Sequence, residues 1–160
     1  MKRIAPLALA LTLVGPTLAS AQTPMNLEEL VQRRGLYLHP ETFEPYSGPV
    51  ISMWDEDIVR EQGTLVNGHW DGVHEWYHFN GQLSTRETWE NGRLNGPSTS
   101  YFRHGGPSVV ENYKEGQLDG PYEAYWSFRG LAERGHWSEG EPCGEWLSFG
   151  RTIIYPPCPS

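Results

Sequence analysis

Residues 68–96 read GHWDGVHEWYHFNGQLSTRETWENGRLNG, and this stretch decides the fold. It begins and ends on the same pattern, G-x-x-x-G, with the two copies 24 residues apart. Each copy follows an asparagine, at Asn67-Gly68 and Asn91-Gly92. Asn-Gly and Asp-Gly pairs suit tight turns because both residues tolerate positive φ. A further Asn80-Gly81 turn divides the interval into GVHEWYHF (72–79) and QLSTRETWE (82–90). Both halves are rich in aromatic and β-branched residues, so the interval reads as strand, turn, strand, a β-hairpin.

The same step extends in both directions. Gly48, Gly72, Gly96, Gly120 and Gly144 form one series, and Gly68, Gly92, Gly116 and Gly140 a second. Aromatic residues keep the period as well. Tyr77, Tyr101 and Tyr125 form one column, continued by Phe149; Trp89, Tyr113 and Trp137 form another, begun by Leu65. Rings of these columns are expected to stack from hairpin to hairpin. A single hairpin is marginal in water, so three or more must join to bury a continuous apolar surface. The expected fold is all-β: tandem 24-residue β-hairpin repeats forming one elongated twisted antiparallel sheet, preceded by a short N-terminal helix. That helix is expected over Asn26–Arg34, with Asn26 as cap, Glu29 in the capping-box position, Leu27, Leu30 and Val31 on one face, and Gly35 as the stop.

The chain divides into a secretory signal (1–21), a leader with the helix (22–47), the repeat array (48–150) and a capping tail (151–160). Lys2 and Arg3 supply the basic start of the signal, Ile4 to Leu18 its apolar stretch, and Ala19-Ser20-Ala21 its cleavage site. The apolar stretch is shorter than the roughly 20 residues of a membrane span. Export to the periplasm or the medium is the expected localisation. In such a compartment Cys143 and Cys158 are able to pair, a free reactive thiol being the other reading.

Composition narrows the partners. The formal charge is −8 over 160 residues, and loss of Lys2 and Arg3 with the signal takes it to −10, leaving Lys114 as the lone lysine. Nucleic-acid binding needs cations to displace counterions from phosphates, so it is excluded as an expectation. Anionic membrane lipid is disfavoured for the same reason, each cation near such a surface contributing about 1 kcal/mol. With 18 glycines and 13 prolines the chain has frequent turns and little room for long helices.

The unit Y-x-x-x-G-x-x-x-x-x-x-x-W/Y-x-x-G-x-x-x-G resembles MORN-type repeats, in the longer variant of bacterial proteins labelled antitoxin-like. The leader LEELVQRRGLYL, and TFEPYSG running into the first unit, resemble those proteins too. The resemblance covers roughly residues 27–150. It implies a single long twisted antiparallel sheet and a binding platform for proteins or lipids. An antitoxin or immunity-like neutraliser is the alternative that the family label implies.

Catalytic chemistry is not expected. No G-x-S-x-G elbow, Walker loop or dinucleotide fingerprint occurs, and no cofactor is called for. His74 and His78 are four residues apart, but on a strand that spacing separates Cα atoms by about 13 Å, so no metal site is expected and both histidines read as surface residues on a polar face. Glu87 and Glu111, and Glu75 and Glu123, recur at the period and read as scaffold positions. The first-strand face that varies between units is the candidate binding face: Trp76, His78, Phe102, Tyr122, Trp126 and Trp146. Its aromatic members are expected to form an exposed strip. Such strips suit a protein partner, where Trp and Tyr are common anchors, or a glycan that stacks on rings. The leading expectation is a non-enzymatic exported scaffold that binds a protein partner; a carbohydrate or cell-wall module is a second alternative.

Overall fold

The computed structural model describes residues 22–159. The signal assigned to residues 1–21 lies outside the described residues. The molecule is built on one 13-stranded sheet, antiparallel throughout except at its first pair. The short first strand β1 (Met25–Asn26) runs parallel to β4 (Gly48–Asp55). From there the chain meanders through β5 (Ile58–Val66), β7 (Gly72–Tyr77), β8 (Leu83–Glu90), β9 (Arg93–Tyr101) and β10 (Pro107–Lys114). It ends with β12 (Gly120–Trp126), β13 (Gly130–Ser138), β14 (Glu141–Ser148) and β15 (Arg151–Ile154). Two-residue strands β6 (His69–Trp70) and β11 (Gln117–Leu118) extend the ladders of β5 and β10. Sequence neighbours are sheet neighbours, as short connections dictate.

The tight turns are those the glycines mark. Asn67, Asn91, Glu115 and Glu139 sit at φ of 50°, 48°, 51° and 51°, and the glycine after each is also at positive φ. Positive φ at both central residues is the type I′ hairpin geometry, whose twist matches that of the strands. Each turn is tied to its predecessor. The amides of Gly68, Gly92, Gly116 and Gly140 donate to the carbonyls of Tyr46, Trp70, Leu94 and Leu118 at 2.8–2.9 Å. The amides of Asn67, Asn91, Glu115 and Glu139 donate to the side chains of Ser47, Asp71, Asn95 and Asp119. A β-bulge also recurs, at Arg60, Ser84, Ser108 and Ala132, each an extra residue on the second strand of its pair.

The leader differs from expectation. In place of a helix over Asn26–Arg34 there is a single 3-10 turn, Leu27–Glu29, followed by the hairpin β2 (Val31–Arg33) and β3 (Leu36–Leu38). Asn26 does cap the turn, its Oδ1 accepting from Glu28 N at 3.0 Å. Nine residues are too few to sustain a helix unaided. Arg34 and Gly35, at φ 50° and 80°, instead make the same tight turn as the later pairs. Leu27 and Leu30 are buried against Val50 and Leu65, with Tyr37, Tyr46 and Trp70 around them. This apolar cluster closes the N-terminal end of the sheet.

The tail is also more regular than expected. Residues 151–154 are a strand paired with β14, and Tyr155 and Pro156 continue beside it. Tyr155 N donates to Gly144 O and Gly144 N to Pro156 O, both near 2.9 Å, and the Cys143–Cys158 disulfide fastens the tail. Disulfides persist in oxidising compartments.

Candidate functional site

Alternation along the paired strands puts Val50 and Ser52 of β4, His74 and Trp76 of β7, Ser98 and Ser100 of β9, Tyr122 and Ala124 of β12, and Trp146 of β14 on one face. Opposite them on the intervening strands stand Glu61, Glu87, Glu111 and Glu133. This face holds most of the buried side chains of the sheet, so the expected strip of exposed rings is not what forms there. Trp146 is only 7% exposed. Its ring lies on Gly135, where an added Cβ would come within 2.1 Å of it, and its Nε1 donates to His136 O at 3.2 Å. Tyr122 stacks on Trp146 at 5.5 Å, and Trp137 and Tyr155 meet the same indole edge-on.

A second cluster lies toward the N-terminal end. His74, expected at the surface, is 1% exposed and sandwiched between Trp70 and Trp76, each with ring centroids 3.7 Å away. Its Nε2 donates to Glu61 Oε2 at 3.2 Å, while Nδ1 is buried without a partner. That bond from His74 holds the Glu61 carboxyl below its ordinary value, against the opposing effect of burial. Gly63 is to Trp70 what Gly135 is to Trp146: a Cβ there would lie 3.0 Å from Trp70 Cζ3. The stacked columns expected from the sequence are not seen. Among the described residues some ring pairs join positions close in sequence, as in Trp70–His74–Trp76, and others join successive turns, as in His104–Phe128, but none links Tyr77, Tyr101 and Tyr125 or Trp89, Tyr113 and Trp137 to one another. Within the strands, equivalent positions of successive hairpins are two strands apart, about 10 Å. Ring contact needs 4.5–7 Å.

Between the two aromatic clusters the face is polar. Ser98, 3% exposed, is directly opposite Glu87 on one side and Glu111 on the other. Glu87 Oε2 accepts from Trp89 Nε1 at 2.9 Å, and Glu111 Oε1 from the Tyr113 hydroxyl at 3.0 Å. Burial pushes the Glu87 carboxyl above its ordinary value, and Glu111 adds to the rise. Burial and the bond to Glu111 push the Tyr113 phenol up to about 12, which keeps it a donor. Among the described residues, no Lys, Arg or His forms an ion pair with Glu87 or Glu111. Beside Glu87 opens a cleft of about 510 Å³ lined by Trp54, Trp76, His78, Phe79 and Arg103.

The six expected binding residues therefore separate. Trp76 and His78 line the cleft, and His78 Nε2 bonds to Tyr101 O at 3.1 Å. Tyr122 and Trp146 belong to the C-terminal ring cluster. Phe102 stacks on His104, which faces Phe128; Trp126, 48% exposed, packs on Phe149. Sequence reasoning placed Ser98 on the variable face but left it out of the binding set, and treated Glu87 and Glu111 as scaffold. The signal was in the column 63, 87, 111, 135, where glycine stands in the outer units and glutamate in the two central ones. No group of three or more His, Cys, Asp or Glu able to hold a metal ion occurs among the described residues.

No family model, no curated protein and no solved structure matches the chain.

Proposed function

We propose that the chain is an exported, non-enzymatic repeat protein of MORN type that binds a protein partner through the ring-bearing face of its sheet. Supporting the array are the turns, bulges and turn-to-turn hydrogen bonds that return every 24 residues. An elongated twisted sheet follows from adding hairpins in sequence order, since each strand advances the sheet by about 4.8 Å and rotates it by about 20°. Supporting export are the signal-like residues 1–21 and the disulfide.

The observation that carries the binding role is the contrast along one face. Its N-terminal end is closed by Leu27 and Leu30, and its C-terminal end by Tyr155 over Trp146. The centre keeps an open cleft beside Trp76 and two carboxylates with no cation of the described residues on them. Aromatic side chains beside a desolvated polar group are the usual anchors of protein recognition. The mature chain used as bait against a periplasmic extract is expected to capture a partner, and Trp76→Ala/Trp126→Ala to lose it while its circular dichroism is unchanged. Equal capture by the two proteins would remove the face from the argument.

Glycan binding is a second reading, favoured by the rings at the turn ends. Trp54, Phe79, Phe128 and Phe149 are half or more exposed there, and exposed rings stack on sugars. Tryptophan fluorescence titrated with peptidoglycan fragments and polysaccharides tests it; an unchanged spectrum across the panel rejects it.

A further inference from the structure

The centre of the face has a chemistry more specific than a general protein contact. Glu87 and Glu111 flank Ser98 across a single strand, so both side chains rise from one small patch. Ser98 is buried between them. Trp89 and Tyr113 each hold one carboxylate oxygen, which orients the carboxylates and leaves the second oxygen of each for another donor. The cleft beside Glu87 is lined by Trp54, Trp76 and Phe79. Burying a carboxylate without a partner is costly, and burial has already raised the affinity of Glu87 for a proton. The ion-paired arginines of the described residues meet other acids, Arg60 meeting Glu28 and Glu61, and Arg86 meeting Glu75. Arg103 also lines the cleft but is exposed, and forms no ion pair with Glu87.

We propose that this patch is the seat of a cationic segment of the partner, in which one arginine or lysine side chain enters the cleft between the rings to meet Glu87 and a second meets Glu111. The inference rests on the protein-binding reading above and names the chemistry of its partner. Charge complementarity selects the occupant. A guanidinium satisfies a carboxylate with paired donors while stacking on an indole, which a neutral or acidic segment cannot do. The chain's charge of about −10 without its first 21 residues steers such a segment toward it.

The test uses a capped peptide with two arginines separated by glycine, and the same peptide with citrulline, which keeps the shape and loses the charge. Calorimetry and tryptophan fluorescence are expected to show binding of the arginine peptide, weakened at least about tenfold by citrulline, by Glu87→Gln/Glu111→Gln, and by raised salt. Glu145→Gln, an exposed acid away from the patch, is expected to bind as wild type does. No binding of the arginine peptide, equal binding of the citrulline peptide, or an unchanged affinity in the Gln variant overturns the inference. The pull-down separates it from the broader reading. A partner captured equally by wild type and the Gln variant, but lost by the tryptophan variant, keeps the face and removes the cationic ligand; no partner at all removes both.

Discussion

Glu115 and Glu139 hold positive φ at positions where the earlier turns have asparagine. Left-handed backbone costs an ordinary side chain about 1–2 kcal/mol, and asparagine tolerates it better. Glu115→Asn is therefore expected to stabilise the protein by about 1 kcal/mol, seen as a rise of a few degrees in Tm. An unchanged or lowered Tm would mean that Glu115 earns its place through a contact outside the turn. Glu87 gives a second residue-scale prediction, with a pH signature. Its folded-state pKa is raised above the ordinary glutamate value of about 4.3, so the stability that it contributes is full below that value and is lost as pH rises through the folded value. Glu87→Gln should melt higher than wild type at neutral pH, with the gap closing near pH 3. Glu61 has the opposite sign: its lowered pKa contributes stability that is present above the ordinary value and lost as pH falls through the folded one. That loss is common to both proteins and does not disturb the comparison. A gap that persists in acid would place the cause outside titration.

At the scale of elements, the end of the sheet shows why Cys143 replaces a polar residue. Ser47, Asp71, Asn95 and Asp119 each accept from the amide of a residue 20 positions on, at the next turn. Position 143 is next in that series and holds a cysteine. Its side chain instead bonds covalently to Cys158 and fastens the tail along β14. Cys158→Ser is expected to cost about 3 kcal/mol, the chain-entropy value for a loop of this length. Amide exchange should quicken first in β15, whose four residues are all exposed. Uniform exchange across all strands would show that the sheet opens as one unit. The leader makes the complementary point. Its cap residue was legible in sequence, but the helix expected after it gave way to a hairpin because Arg34 and Gly35 turn the chain locally, and Tyr37 N then bonds to Gly68 O at 3.0 Å.

At the scale of the whole molecule, the constant step makes a length rule. Removing 24 residues, Gly96 to Asp119, joins Asn95 to Gly120 and restores the same junction with every face kept. Removing 23 flips the alternation beyond the cut, sending core side chains to the opposite face. The first deletion is expected to fold with a modestly lower Tm, and the second to lose its cooperative melt. Two deletions of equal stability would rule out a register-locked array. The strands and tight turns were readable in advance because an Asn-Gly pair and a run of alternating residues act over a few positions of chain. Which face packs was not readable, since both faces carry rings: His74 is buried only because Trp70 and Trp76 close on it, and Trp146 only because Gly135 leaves it room. The polar gap at Glu87, Ser98 and Glu111 is of the same kind, created by side chains from three adjacent strands. Local backbone preference thus determined the hairpins and their period from sequence alone. Burial, and with it the candidate site, was decided only by tertiary packing, because it depends on which side chains from separate strands meet across the sheet.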